Sequence, residues 1–117
     1  MENKKLDVNN YGGFLITKSV LEKEDIGAFW FREESPIQEL NGWNIFGLND
    51  SKEYLEQAEN WTVATIDSIF ELMPHVVTIF NAPYDSEFEI EYDEEAVVTR
   101  IFYVNLEKYI FDINNTK

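Results

Sequence analysis

No cysteine occurs among the 117 residues, which excludes disulfides, thiolate nucleophiles and thiolate-held zinc. A single histidine, His75, rules out HExxH and two-histidine metal sites; beside Pro74 at an expected helix kink, it reads as an ordinary hydrogen-bonded surface residue rather than as a catalytic base. Basic residues are scarce: nine Lys and Arg stand against 23 Asp and Glu, a net charge of −14. Such a chain is repelled at long range by nucleic acid and by anionic membranes, so neither is an expected partner. No apolar run approaches the ~20 residues that span a bilayer. The opening MENKKLDVNN lacks the apolar centre of a secretory leader, and with the missing cysteine this points to the cytoplasm. Gly12-Gly13 is an isolated turn signal with no phosphate-binding loop around it, and no GxSxG elbow occurs. No cofactor or metal is implied.

What is present suits one packed domain. Hydrophobic residues make up 44% of the chain and aromatic residues 15%, enough for a core built largely on rings. Residues 1–11 read as a loose arm, residues 12–113 as a single globular domain, and the final INNTK as a frayed end.

FLIT (Phe14 to Thr17) reads as a short strand, and SVLEKED as a connection. IGAFWFRE carries large rings on both alternating faces, the signature of a central strand. Asn41-Gly42 reads as a turn before a WNIF strand. Asp50 and Glu53 stand at capping-box spacing and predict a helix over DSKEYLEQAE, followed by a short WTVAT strand. Ile66, Ile69, Phe70, Met73, Val77 and Phe80 then hold a helical face that Pro74 should kink or divide. AVVTRIFYVN is the last expected strand. The expected fold is α+β, a mainly antiparallel sheet with two or three short helices packed on one face.

Residues 85–95 hold seven acids (Asp85, Glu87, Glu89, Glu91, Asp93, Glu94, Glu95) and no base. As a helix, EFEIEYD would set Glu87 and Glu91 four apart, a repulsive pair. As a strand it turns Phe88, Ile90 and Tyr92 inward and the carboxylates outward. Same-face carboxylates about 7 Å apart repel by roughly 0.6 kcal/mol per pair in water, so a merely solvated face is affordable and would also guard an edge strand. The competing reading is a docking ladder for a basic partner, formed by Glu87, Glu89, Glu91, Asp93, Glu94 and Glu95. A straight strand does not wrap a cation, so metal binding is the weaker third reading. Arg32, one of two arginines, either anchors a carboxylate or satisfies Glu33 and Glu34 beside it, the latter being favoured. Trp30, Trp43 and Trp61 read as core rather than as a binding platform.

Several segments together resemble one bacterial family. They are GGFLITKSVLEKEDIGAFWFREE, NGWNIF and TIDSIFELMPHVVTIFNAPYDSEFE, spanning roughly residues 12 to 91. Thr17-Lys18 ends the first strand, and Phe31-Arg32-Glu33 ends the next. Gly42-Trp43 precedes Phe46, and Pro74 is followed by Pro83, Ser86, Phe88 and Glu89. This order is similar to the immunity protein thirty-three family of polymorphic toxin systems. The chain departs from it in Leu40-Asn41 before Gly42-Trp43 and in lacking a glycine near Ser86.

The resemblance implies a non-enzymatic protein that binds a cognate protein toxin, and brings no catalytic residues; the acidic charge makes a basic nuclease one candidate for that toxin. The resemblance marks Arg32, Glu33, Gly42 and Trp43 as motif residues of structural or interfacial role. Two other readings stay open: a small-ligand or metal-dependent enzyme using a pocket where Arg32, Glu33 and His75 converge, and a regulatory or scaffold domain.

Overall fold

The computed structural model describes residues 12–22, 27–37, 39–72, 79–93 and 97–113. The expected arm (1–11), the Pro74 kink with His75, the acids Glu94 and Glu95, and the end after 113 lie outside these residues. Among the described residues seven strands form one sheet in the order β4-β1-β3-β2-β5-β6-β7. In chain order they are β1 (Gly13–Thr17), β2 (Gly27–Arg32), β3 (Leu40–Gly47), β4 (Trp61–Ala64), β5 (Glu87–Tyr92), β6 (Val98–Tyr103) and β7 (Lys108–Asp112). The helices are α1 (Lys18–Leu21), α2 (Lys52–Leu55) and α3 (Ile66–Leu72), the last reaching the edge of the described residues.

The sheet is mixed. β1 runs parallel to β3, while the other five neighbouring pairs are antiparallel. β3 turns back from β2 and slots between β2 and β1, which fixes that parallel pair. β2 is the middle strand, as its two ring-bearing faces predict. β5 lies between β2 and β6, so its carboxylates do not guard an edge. The true edges are β4 and β7, and the β6–β7 register is irregular near Ile101 and Phe102, a device that blunts edge pairing.

One face of the sheet holds the core. Phe14, Ile16, Ala28, Trp30, Trp43, Ile45, Phe88, Ile90 and Ile101 are at most 1% exposed. After β4 at one edge, the chain crosses this face through α3 and residues 79–84 to enter β5 beyond β2. Ile66, Ile69, Leu72, Ile79 and Phe80 are buried along that path. The Phe80 ring lies 5.3 Å from Phe14 and 6.3 Å from Trp30, centroid to centroid. Burying each such ring stabilises the fold by roughly 2–3 kcal/mol.

Not every helix is on this face. Trp61 pairs with Thr17, and Ala64 with Phe14, so alternation sends Trp61 to the opposite side. There its Nε1 donates to Leu55 O at the end of α2 (2.8 Å), and its ring meets Phe46 at 6.3 Å. α2 therefore covers the β4 end of the second face. The long helix expected from Asp50 is one turn, capped by Ser51, whose Oγ accepts from Tyr54 N (3.1 Å). Asn41-Gly42 is no hairpin turn but part of β3, and β7 is a strand where none was expected.

Candidate functional site

The acidic stretch folds as an interior strand with the predicted sidedness. Phe88 and Ile90 are fully buried, Tyr92 packs partly against the core, and Glu87, Glu89 and Glu91 face the other way. Their surroundings differ. Glu91 lies opposite Arg100 and receives a forked pair of bonds from it, Nη2 to Oε1 at 2.9 Å and to Oε2 at 3.1 Å. Hydrogen bonding to Glu91, and then its charge, raise the Arg100 pKa above the ordinary guanidinium value. The same guanidinium sits 5.0 Å from the Tyr109 ring centre. Asp93 helps close the turn, its Oδ1 accepting from Val97 N at 3.0 Å. Glu87 is half-buried, and its backbone N–H donates to Asn105 Oδ1 at 2.7 Å. Glu89 is exposed.

Around these carboxylates the face is aromatic. Across the sheet, Phe46 lies opposite Phe29, Phe29 opposite Glu89, Glu89 opposite Phe102, and Phe102 opposite Tyr109. Phe29 and Phe46 meet at 5.2 Å, and Phe102 and Tyr109 at 4.9 Å. Sequence reading missed this row because it depends on register between strands distant in the chain. The alternating Phe29 and Phe31 were its only local sign.

The motif residues gather elsewhere, at the Arg32 end of β2. Arg32 does not pair with Glu33 or Glu34. Its Nε donates to Asn41 O (3.0 Å) and its Nη1 to Phe80 O (3.2 Å) and Ala82 O (2.8 Å). The guanidinium lies 5.0 Å from the Tyr84 ring centre and 5.7 Å from that of Trp43. Trp43, 1% exposed, donates from Nε1 to the same Phe80 O at 3.2 Å. Carbonyls 80 and 82 sit where the crossing segment ends, and these donors satisfy them, tying that segment to the sheet.

Gly42 has φ +95°, and a Cβ there would collide with Glu33 O. Glycine lets the backbones approach closely enough for Glu33 N to donate to Gly42 O at 2.9 Å. Glu33 itself is exposed. Nearby, Ser86 is 2% exposed; its O accepts from Arg32 N at 3.0 Å, and its Oγ lies 3.2 Å from Tyr103 OH.

Thr17 anchors the far end of β1. It is fully buried, and its Oγ1 donates to Asp50 Oδ2 at 3.0 Å. The same carboxylate accepts from Ser19 Oγ (2.7 Å) and Gly47 N (2.7 Å). Asp50 thus fastens β1, α1 and the end of β3 together.

A cleft of about 920 Å³ opens beside Arg32, lined by Phe14, Leu40, Trp43, Val63, Phe80 and Tyr84 among others. Glu33 is not in its wall, and His75 lies outside the described residues. Its described walls are mainly apolar, with Glu39 their one carboxylate. Among the described residues no three His, Asp or Glu side chains converge as metal ligands, and no helix is long and apolar enough to cross a membrane.

No curated protein and no solved structure matches the chain. A family model does, the Immunity protein Imm33 domain, over residues 14–101. The match runs from β1 into β6 and takes in the acidic strand and its pairing with β6. On this match over most of its length, the chain belongs to the Imm33 immunity protein family.

Proposed function

We propose that the protein neutralises a cognate toxin by binding it, with no catalysis of its own, through the acidic part of the open sheet face. The observation that carries this is the position of Glu87 and Glu89, on an interior strand whose outer face no described helix covers. With a net charge of −14, that face attracts a basic partner from a distance and speeds encounter. A nuclease suits it, because lysines and arginines that hold phosphates also bind carboxylates. In this reading the protein works in the cytoplasm of its producer, where the toxin would otherwise act.

The test is coproduction with the polypeptide encoded beside this chain's gene. Growth should be rescued, and the purified complex should weaken strongly between about 50 and 500 mM salt. No rescue refutes the neutralising role; a complex indifferent to salt refutes its electrostatic basis.

The cleft beside Arg32 favours a second reading, a small-ligand site. A carboxylate ligand there would raise the melting temperature of the wild type but not of an Arg32→Gln variant. Absence of any such ligand-dependent shift counts against it.

A further inference from the structure

Glu89 is the charged centre of an otherwise aromatic row. It is the one exposed member of the three β5 carboxylates, and it makes no ion pair or side-chain hydrogen bond among the described residues. Phe29 stands on the strand to one side and Phe102 on the strand to the other. Two strand spacings set the backbones that carry these rings about 9.6 Å apart, so the rings flank the carboxylate and a flat group could stand on it between them. Both rings are braced from behind, Phe29 by Phe46 and Phe102 by Tyr109, so little order has to be gained on binding.

Two residues along the same strand, the chain fills a like arrangement itself. Arg100 bonds the Glu91 carboxylate with its fork and packs its guanidinium near the Tyr109 ring. A carboxylate on β5 with an aromatic ring alongside is therefore an arginine-binding arrangement in this very sheet.

We propose that Glu89, flanked by Phe29 and Phe102, is the socket for one arginine side chain of the protein partner. This rests on the neutralising role above and adds which residue of the face is the anchor. Arginine fits better than lysine, since its planar fork bonds both carboxylate oxygens and its faces stack on rings, whereas an ammonium is compact and strongly hydrated. The acids nearby steer the partner, and the socket holds it. Glu91, already paired to Arg100, contributes least.

Tetra-arginine and tetra-lysine peptides, titrated at about 50 mM salt and followed by backbone amide NMR, provide the test. Tetra-arginine should move the amides of Phe29, Glu89 and Phe102 most and bind more tightly than tetra-lysine. Glu89→Gln should weaken tetra-arginine roughly tenfold and Phe102→Leu by several-fold. Glu71→Gln, on α3, should change affinity less than about twofold. Equal effects of Glu89→Gln and Glu71→Gln, or shifts spread evenly over the acidic surface, overturn the socket. In the coproduction assay, full protection by Glu89→Gln also overturns it and leaves the neutralising role standing. Wild-type protein that fails to protect overturns that role, while the peptide result still decides the socket.

Discussion

Replacing Asp50 by alanine should cost more stability than any other single change on the surface-facing loops. The carboxylate accepts from three donors on three elements: Thr17 Oγ1, Ser19 Oγ and Gly47 N. Thr17 is fully buried and Ser19 is 8% exposed, so neither hydroxyl can turn freely to water. Hydrogen bonds to a charged acceptor are worth about 1.5–3 kcal/mol each. The two hydroxyls can still bond one another, being 3.2 Å apart, which recovers part of the loss. The expected cost is about 3–5 kcal/mol, a large share of a typical stability of about 5–15 kcal/mol. For a chain of this size it corresponds to a fall in melting temperature of roughly 12–20 °C.

Urea unfolding read by tryptophan fluorescence measures this well, because Trp30 and Trp43 leave full burial on unfolding. Ser51→Ala separates the network from simple helix capping: it removes only the bond to Tyr54 N and should cost about 1 kcal/mol. If Asp50→Ala costs no more than Ser51→Ala, Asp50 is not the fastening point and the reasoning fails.

Further outcomes follow from the motif residues and the Arg100 pair. Gly42→Ala forces a Cβ against Glu33 O at a positive φ and should cost at least about 2 kcal/mol; an unchanged melting curve would refute the close approach. Arg32→Lys cannot reproduce the three bonds to carbonyls 41, 80 and 82, and should lower the urea midpoint by the equivalent of about 1–3 kcal/mol. Arg100→Gln leaves the melt nearly unchanged, since the pair with Glu91 lies at the surface, partly open to screening by water. It should, however, strengthen binding of a basic peptide by freeing Glu91, visible as a steeper salt dependence.

Local periodicity revealed the strands whose environment repeats locally. Phe88 and Ile90 alternate with acids because one face of β5 packs on the core and the other does not. GAFWFR announced the central strand because both of its faces carry rings. Ile66 and Ile69 marked the helical face that lies on the core. Features set by distant partners stayed hidden. Asn41-Gly42 has the composition of a turn, and Asn41 Oδ1 does accept from Trp43 N (3.0 Å) as in a local turn, yet both residues lie within β3 and the glycine serves close packing inside a strand. Asp50 stands where a helix cap belongs, but its partners Thr17 and Ser19 are over thirty residues away. β7 was missed because KYIFD has no clear alternation, and its first three residues are exposed. At the candidate site the ladder's sidedness was legible. Its inequality was not, because Glu91 is neutralised and Glu89 is flanked by rings only through pairing with β2 and β6.

The route of the chain has a kinetic consequence. β5, β6 and β7 form a meander whose hairpins can zip from nearby residues, but β5 joins β2 only after a segment of some sixty residues closes over it. Wedging β3 between β1 and β2 likewise demands non-local pairing. Such topologies reach the native state in milliseconds to seconds rather than microseconds. The surface spanning Phe29, Glu89 and Phe102 straddles that non-local seam, so a newly made chain has no such surface until strands some sixty residues apart have paired.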